Sequence, residues 1–136
     1  MHYIDAPDLK KRVNEIAAAL GMGHVDLDRL SCLRSFGSSS RRTIARCHAL
    51  GKLMQKAMGT KAHYAIEFLE YFDKMPIKEQ DKVLIHELLH IPKSFGGGFR
   101  HHDFVCERNV DIMYEKFASL KKSNLNNFFN LGNYKT

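Results

Sequence analysis

The sequence predicts an α+β domain in which a small twisted β-sheet packs on a central helix and on a second, C-terminal helix. Three observations carry that prediction. The chain has 136 residues, one domain's worth and too short for two independent cores. Segments alternating apolar with polar residues coexist with segments at helical spacing, the former lying before the two longest of the latter. A run of fifteen residues, Ile77 to Ile91, contains no helix breaker and is bounded by Pro76 and Pro92.

Each element follows from its own pattern. Residues Asp8 to Leu20 place Leu9, Val13, Ile16 and Leu20 on one helical face, behind Pro7 and ahead of Gly21. His24 to Phe36 alternates, GSSS at 37–40 breaks the pattern, and Thr43 to Leu50 alternates again, which predicts two strands joined as a hairpin. Lys52 to Met58 reads as a short helix ended by Gly59, and Ala62 to Leu69 as a third strand with Tyr64, Ile66 and Phe68 on one face. Pro76 suits a first helical position before the central helix. Lys93 to Arg100 is a glycine-rich loop, and from about Asp103 a second long helix carries Cys106, Val110, Met113, Phe117 and Leu120 as a core stripe. We expect one domain over residues 1–122 and an irregular C-terminal tail over 123–136, where Asn, Gly and Ser mix with aromatic residues.

Composition narrows the class further. Hydrophobic residues make up 44% and charged residues 26%, ordinary globular usage that excludes wholesale disorder. Apolar stretches are only a few residues long and the N-terminus lacks the apolar centre of a signal peptide, so a soluble, cytoplasmic protein without membrane contact is expected. Three scattered cysteines, Cys32, Cys47 and Cys106, form no CxxC pair and are expected to be buried thiols.

The chemistry concentrates in His86-Glu87-Leu88-Leu89-His90, an HExxH motif on the central helix. Histidines four apart lie one turn apart on the same face, so both imidazoles can reach one ion, and Zn2+, one per chain, is the natural guest. Glu87 stands next to the first ligand and can act as general base toward a water that the metal activates. With eight histidines and seven glutamates, shuffling this composition yields the motif only about 2% of the time, before any demand for a surrounding helix. A purely structural histidine pair is the competing reading, but on a helix carrying Val83, Leu84, Ile85, Leu88, Leu89 and Ile91 buried imidazoles need partners.

A catalytic zinc takes three protein ligands and keeps one position open. The longer HExxHxxGxxH pattern is excluded, because Lys93 and Gly96 stand where it needs glycine and histidine. His101 and His102 follow the glycine loop, and His102, four residues before Cys106 on the extended core stripe, is favoured over His101. Glu107 is the rival, spaced with Asp111 as ExxxD, the arrangement that in thermolysin-like enzymes provides the third ligand and its partner. The histidine left over could polarise the scissile carbonyl.

From about Arg34 to Phe117 the chain resembles the small phage-type and archaeal metallopeptidases, themselves similar to SprT-like and other zincin domains. The likeness rests on RSFGSSSRRTIARCHAL, HYAIEFLEYFDKM and IHELLHIPKSFGGGFRHHDFV. The resemblance implies a zincin-like fold with the sheet packed on the HExxH helix, His86 and His90 as ligands, Glu87 as base and one histidine of the HH pair as third ligand. A peptide or protein substrate follows, bound as an extended chain against an edge strand, for which Ala62 to Leu69 is the candidate, a plain core strand being the equal alternative for that segment.

A second class of function competes. Arg29 to Ile66 carries eight cations and no acid, and its SSSRR turn could contact phosphate, so nucleic acid is a conceivable partner although no known binding motif is present. A non-catalytic binding module stapled by a closed zinc site would need four ligands, for example His86, His90, His102 and Glu107. Replacing Glu87 separates the two, because only catalysis needs it. The tail could also lie over the cleft through Phe128, Phe129 and Tyr134.

Overall fold

The computed structural model describes residues 1–101 and 104–133, with side chains up to residue 125; His102, the favoured third ligand, lies outside the described residues. Four strands form one sheet in the order β1-β2-β4-β3, and the helices supply the apolar cover of one face. Strand β1 (His2–Asp5) pairs antiparallel with β2 (Leu30–Phe36), β2 pairs parallel with β4 (Tyr64–Phe68), and β4 pairs antiparallel with β3 (Ala45–Ala49). Helix α1 (Pro7–Ala19) links β1 to β2, α2 (Lys52–Met58) follows β3, α3 (Ile77–Leu89) follows β4, and α4 (Glu107–Asn133) closes the described chain. None of the described helices is long and apolar enough to cross a membrane.

The core lies where the patterns place it. Leu9, Val13 and Ile16 of α1 meet Tyr64, Ile66 and Phe68 of β4 and Leu84, Ile85 and Leu88 of α3 in one buried cluster. Burying such side chains is the main stabilising term of the fold, roughly 1.5–3 kcal/mol for each large apolar one. Polar contacts set how the helices lie: the Arg12 guanidinium donates to Gln80 Oε1 (2.7 Å) and Asp81 Oδ1 (2.8 Å), tying α1 to the first turns of α3. Gln80 in turn donates to the carbonyls of Phe72 and Met75, satisfying the backbone that leads into α3. Val110 and Phe117 of α4 are buried and Met113 packs against the same core, whereas Leu120 at the end of the expected stripe is 38% exposed.

Several expectations change. The two alternating segments do not form a hairpin, because β4 inserts between β2 and β3. The reason is burial: four of the five residues of β4 are buried, which suits a strand with neighbours on both sides, while β3 alternates half-buried with exposed residues such as Arg46 and His48, as an edge strand does. Ala62 to Leu69 is therefore an interior strand, and the edge beside α3 is β3. His24 to Asp28 is not strand; Asp26 accepts from the Asp28 N–H and opens a 3-10 turn, Leu27–Arg29, before β2. Backbone over 123–133 continues α4 as helix instead of an irregular tail, since no proline interrupts the run and extending a formed helix costs far less than starting one. Strand β1 went unpredicted: four exposed residues give no periodic signal.

Candidate active site

Helix α3 ends at the site. Gln80, Leu84 and Leu88 lie on its buried side, and its last turn carries His86 and Glu87, with His90 as the C-cap residue in helical conformation. Pro92 cannot continue the helix, and the chain turns into the glycine-rich segment at that point. The one-turn spacing brings the two imidazoles together, with Nε2 of His86 and Nε2 of His90 3.3 Å apart. Two zinc–nitrogen bonds of about 2.0–2.1 Å at a tetrahedral angle span about 3.3–3.4 Å, so the pair already has the bite that one tetrahedral zinc requires.

The backbone selects the tautomer of His90. Its Nδ1 lies 3.0 Å from the Arg100 carbonyl, which can only accept, so Nδ1 carries the proton and the neutral ring leaves its Nε2 lone pair toward His86. The same residue is held twice, because the Arg100 N–H donates to the His90 carbonyl at 2.7 Å. This fixed ring orientation is what a ligand histidine needs.

Glu87 points from α3 toward β3 and is 6% exposed. Burial pushes its carboxyl up to about 7, while the Cys47 backbone N–H, donating to it, pulls the other way. The Cys47 thiol is itself pushed up to about 12 by burial, which leaves it protonated and a poor nucleophile at neutral pH. Cys32 is buried and Cys106 half-buried, and all three thiols are free.

His86 and Glu87 stand where two cavities meet. One, of about 380 Å3, is bounded by Cys47, His86, Glu87, His90, Arg100 and His101. The other, of about 540 Å3, has an apolar floor of Ile44, Met75, Val83 and Val110, and Glu107 lies on its wall. Together they form a groove along β3. His101 lines the smaller cavity and Glu107 the larger, and among the described residues no three His, Cys, Asp or Glu side chains converge as a metal-holding group.

The basic segment is partly spent within the fold. Arg34 makes ion pairs with Asp8 (2.7 Å) and Asp73 (2.9 Å), and Arg29 pairs with Asp26 and donates to the Ala62 carbonyl. Arg42 lines the larger cavity instead.

Sequence reasoning missed three backbone participants: the Cys47 N–H, the Arg100 carbonyl and the β3 edge. Main-chain groups leave no residue-type signature, but Arg46 and His48 at alternate positions of a short strand mark β3 as an edge. No curated protein and no solved structure matches the chain. The model of the family described as "Putative phage metallopeptidase" matches residues 1–122, which include the whole sheet and α3, and the chain belongs to that family, whose description implies a bound metal and a peptide substrate.

Proposed function

We propose that the protein is a zinc-dependent peptidase with a zincin-like arrangement, in which His86 and His90 hold the metal and Glu87 is the general base. One observation carries the reading: the 3.3 Å separation of the two Nε2 atoms, with a buried carboxylate between the same helix and the sheet edge. The third ligand comes from the His101–His102 pair, favoured as His102, because the preceding residue, Arg100, is already hydrogen-bonded to His90 through its backbone. Glu107, on the lining of the larger cavity with His86 and Glu87, is the alternative.

When bound, the metal supplies Lewis-acid chemistry, lowering the pKa of water and polarising the scissile carbonyl. The protein's own groups do the rest. Burial favours the protonated form of the Glu87 carboxyl, which suits a general base: it would accept a proton from the attacking water at its carboxylate oxygen and return it to the leaving amine. The Cys47 N–H keeps that carboxylate oriented across the groove. Apart from the Cys47 N–H, which Glu87 engages, the outer edge of β3 offers N–H and C=O groups to an extended peptide, which would bind as an added strand and bring its carbonyl alongside His86 and Glu87.

The experiment is metal content by mass spectrometry with a general protease assay, on wild type, His86→Ala and Glu87→Gln. We expect about one zinc per chain, lost in His86→Ala, and cleavage abolished in Glu87→Gln with zinc retained. Zinc without cleavage would instead support the closed, non-catalytic site, and no metal uptake after reconstitution would end the proposal. The same measurement on His101→Ala, His102→Ala and Glu107→Ala identifies the third ligand.

A further inference from the structure

We propose that Tyr64 and Gln55 are positioning residues that strap the glycine-rich segment to the core, hold the Arg100 carbonyl on His90 and so set the metal affinity of the site. The inference rests on His90 being a ligand, as proposed above. Residues 93–100 have no regular secondary structure of their own, so whatever fixes Arg100 must come from elsewhere.

Among the described residues, the side chains of Tyr64 and Gln55 hydrogen-bond to the backbone of residues 96–98. Tyr64 begins β4, its ring is fully buried, and its hydroxyl is used twice: it donates to the Gly98 carbonyl (2.7 Å) and accepts from the Gly97 N–H (2.9 Å). Phe95 and Phe99 clasp the same ring, with centroids 4.7 and 6.1 Å away. From the other side Gln55 of α2 donates from Nε2 to the Gly96 carbonyl (3.0 Å) and to the Leu50 carbonyl (2.7 Å). Three consecutive glycines are thereby hydrogen-bonded by two side chains from separate elements.

The backbone carries the strain of this grip. Phe95 has φ of +47°, unusual for a non-glycine residue, and Gly97 has φ of +104°. A Cβ on Gly97 would come within 2.6 Å of Gln55 Nε2 and 2.8 Å of the Leu50 carbonyl, so the segment is pressed against its straps. Glycine adopts such an angle without cost, but a non-glycine residue at positive φ, as Phe95 is, persists only where the surroundings over-determine it. Two residues beyond the Tyr64 contacts, Arg100 exchanges both its backbone hydrogen bonds with His90. Partners of this type, one step removed from a metal, fix ligand orientation and typically change metal affinity by about 10–100-fold when lost.

Tyr64→Phe in the full chain is the test, since it keeps the ring contacts and removes only the hydroxyl. In the metal-free protein, nitrogen NMR should find His90 as the Nδ1–H tautomer in wild type and as a mixture in the variant, with faster exchange of the Gly97 amide. Zinc affinity by chelator competition should fall about tenfold or more. Gln55→Ala should move the same readouts in the same direction and guards against a folding defect in the first variant. Ser31→Ala removes a hydrogen bond of 2.8 Å to His63 on the other face of the sheet and should leave tautomer and affinity unchanged. A Tyr64→Phe protein with the wild-type tautomer and wild-type zinc affinity overturns the proposal. Should wild type itself take up no zinc, the peptidase reading falls, and the tautomer and exchange measurements still decide the strap.

Discussion

The glycine triplet supports a matched pair of substitutions. Gly97→Ala places a methyl group 2.8 Å from the Leu50 carbonyl, a backbone atom that cannot swing aside, and does so at φ of +104°. Backbone strain of this kind costs about 1–3 kcal/mol, and forcing a methyl group into a packed contact about 1–3 kcal/mol more. A combined loss of about 2–6 kcal/mol exceeds what a short loop can hold, so the expected response is release of the segment, which caps the loss in global stability near the lower figure. At about 3–5 °C for each kcal/mol in a chain of this size, the metal-free protein should melt roughly 6–10 °C lower. Gly98→Ala is the control: nothing lies within 4 Å of its added Cβ, so its melting temperature should stay within about 2 °C of wild type, equivalent to roughly 0.5 kcal/mol. Calorimetry on both variants checks this, together with zinc affinity, which should fall in Gly97→Ala alone. Equal melting temperatures for the two variants would refute the steric argument.

Phe72 is fully buried with its ring 4.8 Å from that of Phe68, so Phe72→Ala should cost about 3–5 kcal/mol in urea unfolding, and a loss under about 1 kcal/mol would mean the core closes over the space. The Arg34 hydrogen bonds hold the Asp8 carboxyl below its ordinary value near 3.8, against a smaller opposing effect of burial, so the pair adds stability above that pH and loses it as pH falls through the folded value. Because Asp8 is 60% exposed, Asp8→Asn should cost only about 0.5–1 kcal/mol at pH 7, and the gap to wild type should close in acid; a gap that widens there would contradict the assignment. Added zinc should raise the melting temperature of wild type, by about 2.7 kcal/mol of stabilisation at a hundredfold excess over Kd, and should not move that of His86→Ala. An equal rise in both would locate zinc elsewhere.

Local patterns in the sequence determined the parts of this protein that depend on near neighbours. The spacing of Leu9, Val13 and Ile16 makes α1, the breaker-free run between Pro76 and Pro92 makes α3, and four-residue spacing on that helix brings His86 and His90 together. Periodicity along one segment suffices for each. The tertiary structure alone decided what depends on residues far apart in the chain. Nothing in Ala62 to Leu69 or in Thr43 to Leu50 says which strand takes the middle of the sheet, because strand order is set by which faces the finished core can bury. The edge beside Glu87 therefore passed from β4 to β3. The groups that orient the site are of the same kind: the Cys47 N–H, the Arg100 carbonyl and the Tyr64 hydroxyl act at separations of 40, 10 and 33 or 34 residues from their partners, and two of them belong to the main chain every residue shares. A backbone donor or acceptor acquires its role only from where the fold puts it.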